Sequence, residues 1–472
     1  MVENREQFGS RVGFVLAAAG SAVGIGNLVG FPVNAAKNGG GAFLLLYALF
    51  VLFICLPVMM TEIAAGRHSQ KNPLCTYDTI AQHHRGWRIG GWLALITPYM
   101  IAVFYSVITL WILGYLSAII TGDLKDLASP DYFGQFINSK SVFVYLFCVA
   151  AFVGGVLYFG VEEGIERGAK IMMPMLVIML IALVAFVLTR DNAFAGAKYF
   201  LIPDLGKINA SVINSAMSQA FFSLSLGMGI LITYGSYMRR DASISQSAKL
   251  VAFTDTGVAF TAGLLVMPAI FSFNPDLNPE ELSDSSVALI FTFLPKIFLA
   301  MEPSLGYFGA STIAAVFFLL VLVAALTSLI SIIEVPVCGA LDKHNFGRGK
   351  ALLYVGLSLI LVSIACAVSF GMVDFFTHFV SYAGASKSIF DLVVDIFYDT
   401  ILPLNGFMIC ALVILRWRVV GLNAELEHGD SDYRGSLTQR YVNFSLSTFI
   451  PLILLFVFVN TVLNKFFAVS LI

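Results

Sequence analysis

Apolar residues in this chain come in runs of membrane-crossing length. A spanning α-helix needs about twenty mostly apolar residues. Runs of that kind, separated by polar punctuation, fall at 12–36, 41–67, 90–120, 142–159, 168–190, 211–238, 248–273, 306–341, 350–369, 389–415 and 438–465. The pattern predicts an all-α integral membrane protein with about eleven transmembrane helices, here called spans 1 to 11 in chain order. The first run begins near Val12 without the short core and small-residue cleavage site of a signal peptide, so it reads as a retained span.

Polar punctuation also sets orientation. With the N-terminus inside, the cytoplasmic segments hold Arg5, Arg11, Arg67, Lys71, Arg85, Arg88, Arg167, Lys170, Arg239, Arg240, Lys249, Lys343, Arg348, Lys350, Arg416, Arg418, Arg434 and Arg440, and Arg190 is the one arginine left outside. Cytoplasmic loops retain positive charge. The expectation is a multi-pass protein of the cell (inner or plasma) membrane with a cytoplasmic N-terminus. An acidic outer loop over about 274–305, with Asp276, Glu280, Glu281 and Asp284, fits the same side.

Two spans break the pattern from within. Span 1 carries Gly20, Ser21, Gly24, Gly26, Asn27 and Gly30 near its middle, and span 6 carries Ser223, Ser225, Gly227 and Gly229. Each glycine costs about 1 kcal/mol relative to alanine inside a helix, so clusters at mid-membrane predict interruptions. Packing of small residues between helices explains such glycines equally well one cluster at a time. The matched spacing, five spans apart, and the company of Asn and Ser favour a 5+5 inverted repeat whose binding site lies at the bilayer midplane. The units predicted are 1–190 (spans 1–5), 211–415 (spans 6–10) and 416–472 (a cytoplasmic loop and span 11).

Composition narrows the function classes. Of 472 residues 58% are hydrophobic and 12% charged, a balance that only lipid can solvate over most of the surface. A net charge of -2 and the lack of a concentrated basic face argue against nucleic acid as a partner. Cys55, Cys75, Cys148, Cys338, Cys366 and Cys410 are scattered, form no CxxC pair and read as small core residues. His83 and His84 sit in a basic loop without acidic or thiol companions, so enzyme chemistry is not expected there. Gly20–Gly26 imitates a dinucleotide fingerprint, but no strand precedes it, and no organic cofactor is expected. The pattern specifies no oligomeric interface.

A helix broken in lipid frees carbonyls and amides that a bound ion or zwitterion can satisfy. Hydroxyl and amide oxygens near the breaks, from Asn27, Ser223, Thr327 and Ser328, suit a hard cation such as sodium. Mid-membrane hydroxyls also bond back to their own helix, which is the plain alternative for each singly. Glu62, Asp255 and Glu334 are ionisable residues inside spans, hence candidates for function. Asp255 is read as a sodium partner, against the alternative of a carboxyl that keeps its proton and bonds a neighbouring helix.

The stretches Gly-Ser-Ala-Val-Gly-Ile-Gly-Asn (20–27), Phe-Pro (31–32), Asn-Gly-Gly-Gly-Ala-Phe (38–43), Gly-Ile-Glu-Arg (164–167), Gln-Ala-Phe-Phe-Ser-Leu-Ser-Leu-Gly-Met-Gly (219–229) and Ala-Leu-Thr-Ser (325–328) resemble the neurotransmitter:sodium symporter family, whose bacterial members include eleven-span proteins. The resemblance implies import of a small amino acid with sodium by alternating access. It implies two sodium sites, the first from the Ala22 carbonyl, Asn27, Ser223, Asp255 and the substrate carboxylate. The second would use the carbonyls of Gly20, Val23 and Ala324 and the hydroxyls of Thr327 and Ser328. It implies a substrate pocket from Ser21, Ala22, Gly24, the amides near Ile25 and Gly26, the Tyr105 hydroxyl, Ser223 and Ser225, walled by Ile101, Phe222, Met228, Ser328 and Ile332. These walls favour a hydrophobic side chain. Arg5 with Asp342, beside Tyr237, would close the cytoplasmic side.

Three positions depart from the family pattern. Asp255 replaces an asparagine, which places a fixed negative charge beside the first sodium site and implies chloride-independent transport. Gly30 and Val394 stand where relatives place the arginine and aspartate of an outer gate, so other contacts must close that side, Phe222 over Tyr105 being one arrangement. Ser21 stands where a bacterial member has asparagine. A proton-coupled or exchange-type amino acid carrier of the same fold, with Asp255 or Glu62 carrying the proton, remains an alternative reading of the residues, as does a non-transporting amino acid sensor.

Overall fold

Side-chain caps start both interrupted spans. The Ser10 hydroxyl accepts the Gly13 amide at 3.0 Å and opens Arg11–Ala22, and the Asn209 side chain accepts the Val212 amide at 3.0 Å and opens Ala210–Ser223. Each cap satisfies one of the amides that a helix N-terminus leaves without an intrahelical partner. The structure, a computed structural model, describes residues 5–273, 289–344 and 346–469. Asp276, Glu280, Glu281 and Asp284 of the expected acidic loop lie outside the described residues.

Among the described residues, nine helices are apolar and long enough to cross a bilayer singly. They are span 2 (Gly41–Ser69), span 3 (Arg88–Thr121), span 4 (Ser141–Tyr158), span 5 (Val161–Val187), span 7 (Ile244–Phe273), span 8 (Glu302–His344), span 9 (Arg348–Ala367), span 10 (from Ile389) and span 11 (Phe449–Phe467). Span 1 is the tenth, a pair Arg11–Ala22 and Gly26–Lys37 bent by 56°. Span 6 is the eleventh, in pieces Ala210–Ser223 and Ile230–Ser236 that are each too short to cross alone.

Two boundaries differ from the hydrophobic pattern for a physical reason. Span 5 begins at Val161, ahead of the expected 168, because the charged turn Val161–Glu166 is helical at the aqueous end, where water solvates Glu162 and Glu163. The run expected at 438–465 is two helices, Leu437–Ser447 and Phe449–Phe467, divided at Thr448. The first of these carries Gln439, Arg440, Asn443 and Ser445, too polar to share a span with the second.

Large apolar side chains face outward while a few polar and ionisable ones are buried inside the bundle. Phe147, Ile178, Phe253, Leu361 and Leu452 stand exposed on the rim, whereas Asn27, Glu62, Asp255 and Glu334 are at most 1% exposed. Lipid is the solvent that accepts this inversion. Span 2 and the second half of span 6 press backbone to backbone. A Cβ on Gly66 would lie 1.8 Å from the Ile232 carbonyl oxygen, and one on Gly235 would lie 2.3 Å from that of Ile63. Such contact between small residues is how helices associate where lipid supplies no hydrophobic drive.

Candidate functional site

Both breaks fall where the glycines stand. Helical geometry in span 1 ends at Ala22, Val23 turns to an extended backbone (φ -72°, ψ 100°), and the helix resumes at Gly26. Gly24 lies in the gap where space is tight: a Cβ there would meet the movable ends of two side chains, the Ser328 Oγ and the Tyr105 Oη, at 2.7 Å each. In span 6, Ser225, Gly227 and Gly229 adopt positive φ (54°, 75° and 69°) between the two halves. That is the left-handed region that favours glycine, and Ser225 is held in it by donating its hydroxyl to the Ser21 carbonyl at 3.1 Å. The two breaks are thereby joined.

Carbonyl oxygens outnumber donors around span 8. The Ser328 hydroxyl faces the carbonyls of Ser21 (3.1 Å), Val23 (3.3 Å) and Gly20 (3.5 Å). One hydroxyl hydrogen serves one acceptor well, so the other oxygens keep free lone pairs, the condition for binding a hard cation. Thr327, one residue earlier, turns its hydroxyl to the carbonyls of Ala324 (2.9 Å) and Val323 (3.1 Å). Of the residues expected to bind a second sodium, Gly20, Val23 and Ser328 meet between spans 1 and 8, whereas the Thr327 hydroxyl bonds back to its own helix at Ala324.

A second oxygen cluster surrounds Asp255 of span 7. Its carboxylate accepts the Ser223 hydroxyl (2.8 Å), the Asn27 amide (2.7 Å) and the Tyr47 hydroxyl (3.1 Å). Asn27 also donates to Ser223 Oγ at 2.9 Å and accepts the Gly24 amide at 3.3 Å. Asn27, Ser223 and Asp255 are brought together as expected, but the Asn27 nitrogen, not its oxygen, faces the other two. Ala22, whose carbonyl is expected to join them, is the last helical residue before the gap.

Of the expected pocket residues, Tyr105 and Ser328 border the span 1 gap at Gly24. Ile101 and Tyr105 are four apart on span 3, Ser328 and Ile332 four apart on span 8, so each pair shares a helix face. The Tyr105 hydroxyl accepts the Ile25 amide at 3.3 Å. Ile101, Met228 and Ile332 are buried, while Tyr105, Phe222 and Gly26 keep partial exposure, and a Cβ on Gly26 would meet nothing within 4 Å. The stacked partner of Phe222 is Tyr398 of span 10, at 4.7 Å between ring centroids, not Tyr105.

Arg5, Asp342 and Tyr237, expected to close the cytoplasmic side, meet. The guanidinium lies 2.5 Å from Asp342, over the Tyr237 ring at 4.7 Å, and bonds Ser236 and the Cys338 thiol. Glu334 joins from below, bonding Tyr237 and Arg348 at 2.7 Å each.

Four contributors escape the sequence. Tyr47 supports Asp255, Gln219 donates to the Gly26 carbonyl (3.1 Å), Asn405 donates to the Gly227 carbonyl (2.8 Å) and Tyr398 covers Phe222. Glu62, singled out as an intramembrane carboxyl, accepts the Gly227 amide at 2.8 Å, so that residue is held from both sides. A lone Asn in apolar span 10 was a signal for Asn405; the tyrosines are indistinguishable from core aromatics.

Comparison with known proteins agrees with this geometry. The model of the sodium:neurotransmitter symporter family matches residues 5–129 and 135–467. The chain is 32% identical over 462 residues to YhdH, an uncharacterised sodium-dependent transporter of Bacillus subtilis (strain 168), covering 97% of both chains. It is 32% identical over 409 residues to the sodium-dependent transporter MJ1319 of Methanocaldococcus jannaschii, covering 83% of this chain and 82% of that one. The crystal structure of MhsT in complex with L-phenylalanine superposes with a TM-score of 0.82 at 34% identity, over 97% of this chain and 99% of that one. A bundle of apolar spans with two joined breaks, a family model along nearly its whole length and a matching solved fold together identify this chain as a member of the sodium:neurotransmitter symporter family, a sodium-dependent symporter and not an enzyme.

Proposed function

We propose that this protein imports a small hydrophobic amino acid together with two sodium ions, by alternating access and independently of chloride. The observation that carries the reading is the pair of joined breaks, where carbonyl, hydroxyl and carboxylate oxygens exceed the donors available to them. The zwitterion would lie in the gap, its carboxylate against the Ile25 amide and the Tyr105 hydroxyl, its ammonium toward the carbonyls that end the helical pieces at Ala22 and Phe222. Opposite helix ends suit opposite charges. The side chain would face Ile101, Phe222, Met228 and Ile332, and MhsT, solved with phenylalanine, supports an apolar one. Repeats 1–190 and 211–415 would supply one broken span each, with 416–472 outside the repeat.

One sodium would sit among Ala22, Asn27, Ser223 and Asp255 once the Asn27 amide turns its oxygen inward, a rotation that exchanges groups of nearly equal size. The substrate carboxylate would complete that shell. Each ligand then raises the affinity of the other by the same factor, which is the physical content of coupling. The Asp255 charge would balance the cation without an added anion. The second sodium would tie span 1 to span 8 and favour the outward-facing form. Cell-membrane location with a cytoplasmic N-terminus follows from the arginine distribution.

Purified protein in liposomes tests this reading. An inward sodium gradient should drive accumulation of one or more of the twenty amino acids, equally in chloride and gluconate. Thr327→Ala with Ser328→Ala should abolish accumulation in protein that remains folded. Accumulation driven by protons and indifferent to sodium would transfer the role to a proton carrier. Binding without counterflow would make the protein a sensor.

A further inference from the structure

Span 10 starts at Ile389 and within two turns loosens into a seven-residue π-helical stretch, Val394–Thr400. Wide turns of this kind concentrate at functional sites. This one sends side chains to two destinations. Asp395 and Asp399 reach span 11, where the Lys465 ammonium lies 2.8 Å from the first and 2.6 Å from the second. Two short antiparallel strands, Val380–Tyr382 and Ala385–Lys387, precede span 10; Tyr382 of the first donates to Asp395 at 2.7 Å, and Lys387 of the second stands 3.7 Å from the same carboxylate.

Tyr398 reaches the substrate gap instead. Its ring lies on Phe222 with the planes 23° apart, and it meets Phe104 of span 3 edge-on at 5.7 Å. Phe222 immediately precedes Ser223 at the lip of the span 6 break, and Phe104 precedes Tyr105. Tyr398, Phe222, Tyr105 and Gly26 each keep partial exposure, and the Tyr105 hydroxyl accepts the Ile25 amide, which ties span 3 to the span 1 break beside the Phe104 that Tyr398 meets.

We propose that Tyr398 is the outer lid of the substrate site, and that Lys465 is its positioning residue, holding the Val394–Thr400 turn in place through Asp395 and Asp399. The proposal rests on the reading that an amino acid binds at the breaks. A lid of this kind sets how quickly bound substrate escapes outward and how large a side chain the closed form admits. The plainer role of the ion cluster is to staple span 10 to span 11, and the two roles separate in one measurement.

Detergent-purified full-length protein is loaded in sodium with the tightest-binding of the twenty amino acids in radiolabelled form, starting with L-phenylalanine, and release is followed after dilution into unlabelled ligand. Tyr398→Ala should speed release about three- to tenfold, the range that loss of one aromatic stack represents. Tyr398→Phe should stay within about twofold of wild type, because the ring does the covering. Lys465→Met should give a smaller acceleration. The double variant Tyr398→Ala with Lys465→Met should release no faster than Tyr398→Ala alone, since the lysine acts only through the ring. Thermal stabilisation by sodium reports that each variant is folded. Unchanged release in Tyr398→Ala would overturn the lid. Lower thermal stability with wild-type release in Lys465→Met, or additive effects in the double variant, would reduce the cluster to a staple and overturn the positioning role. Absence of sodium-dependent amino acid binding in wild type would overturn the substrate reading itself, and the lid with it.

Discussion

Asp255 and Gly24 show how much single positions decide at the breaks. The Asp255 carboxylate is buried among Asn27, Ser223 and Tyr47, neutral side chains that could equally well satisfy an asparagine. Its full charge therefore matters chiefly to a cation, and two opposite charges 4 Å apart at an effective dielectric near 20 attract by about 4 kcal/mol. Asp255→Asn, which keeps size and hydrogen bonding, is expected to raise the half-saturating sodium concentration for uptake at least about tenfold, a loss of about 1.4 kcal/mol or more. An unchanged sodium activation curve would remove Asp255 from the ion site. Gly24→Ala probes the substrate side. Its methyl would meet only the flexible ends of Ser328 and Tyr105, so the fold can absorb it, but it would occupy the space between them. Amino acid binding should weaken at least about tenfold while thermal stability shifts by less than about 1 kcal/mol, the scale of a tolerated small change.

Elements were legible where their signal was local. Glycine clusters foretold both breaks because the backbone turns at Gly24, Gly227 and Gly229 favour a residue without a Cβ, a local preference that the sequence shows directly. Asn27, Ser223, Thr327 and Ser328 were visible as polar residues in apolar runs. Tyr47, Gln219, Asn405 and Tyr398 were not assigned roles, since each works on a span distant in sequence and such pairings leave no periodic trace. The division at Thr448 was hidden because scattered apolar residues in Leu437–Ser447 extend the apolar run of span 11 backwards. Gly66 shows the same limit from the packing side. In sequence it is one more glycine near a helix end, yet its Cα faces the Ile232 carbonyl of span 6, against which a methyl would stand at 1.8 Å. That neighbour is backbone and cannot rotate away. Gly66→Ala is expected to push spans 2 and 6 apart and lower stability by about 1–3 kcal/mol or more, seen as a drop in the midpoint of thermal unfolding. A stability equal to wild type would mean that the two spans slide freely past one another.

At the scale of the whole molecule, the segment before span 1 is tied to spans 5, 8 and 9. Arg5 binds Asp342 of span 8, Glu6 binds Arg348 of span 9, and Gly9 and Ser10 both donate to Glu166 of span 5. On the proposed reading of alternating access with a cytoplasmic N-terminus, this segment must leave before cargo can pass inward, so the strength of its attachment sets the balance between the two faces. Cys338 offers a native reporter: it is fully buried, with its sulfur 2.9 Å from the Arg5 guanidinium. Arg5→Ala would not leave its carboxylate partner stranded, because Asp342 also accepts the Asn72 backbone amide at 2.7 Å and side-chain amide at 3.0 Å. The closed form loses a contact while the fold keeps its buried charge satisfied. In inside-out vesicles a membrane-impermeant maleimide should therefore modify Cys338 about tenfold faster in Arg5→Ala than in wild type, a shift of about 1.4 kcal/mol toward the inward-open form. Mass spectrometry of the Cys338 peptide separates this thiol from exposed Cys148. Sodium should slow the reaction in both proteins by tying span 1 to span 8. Equal rates with and without the arginine would show that the N-terminal segment does not bar the inner path.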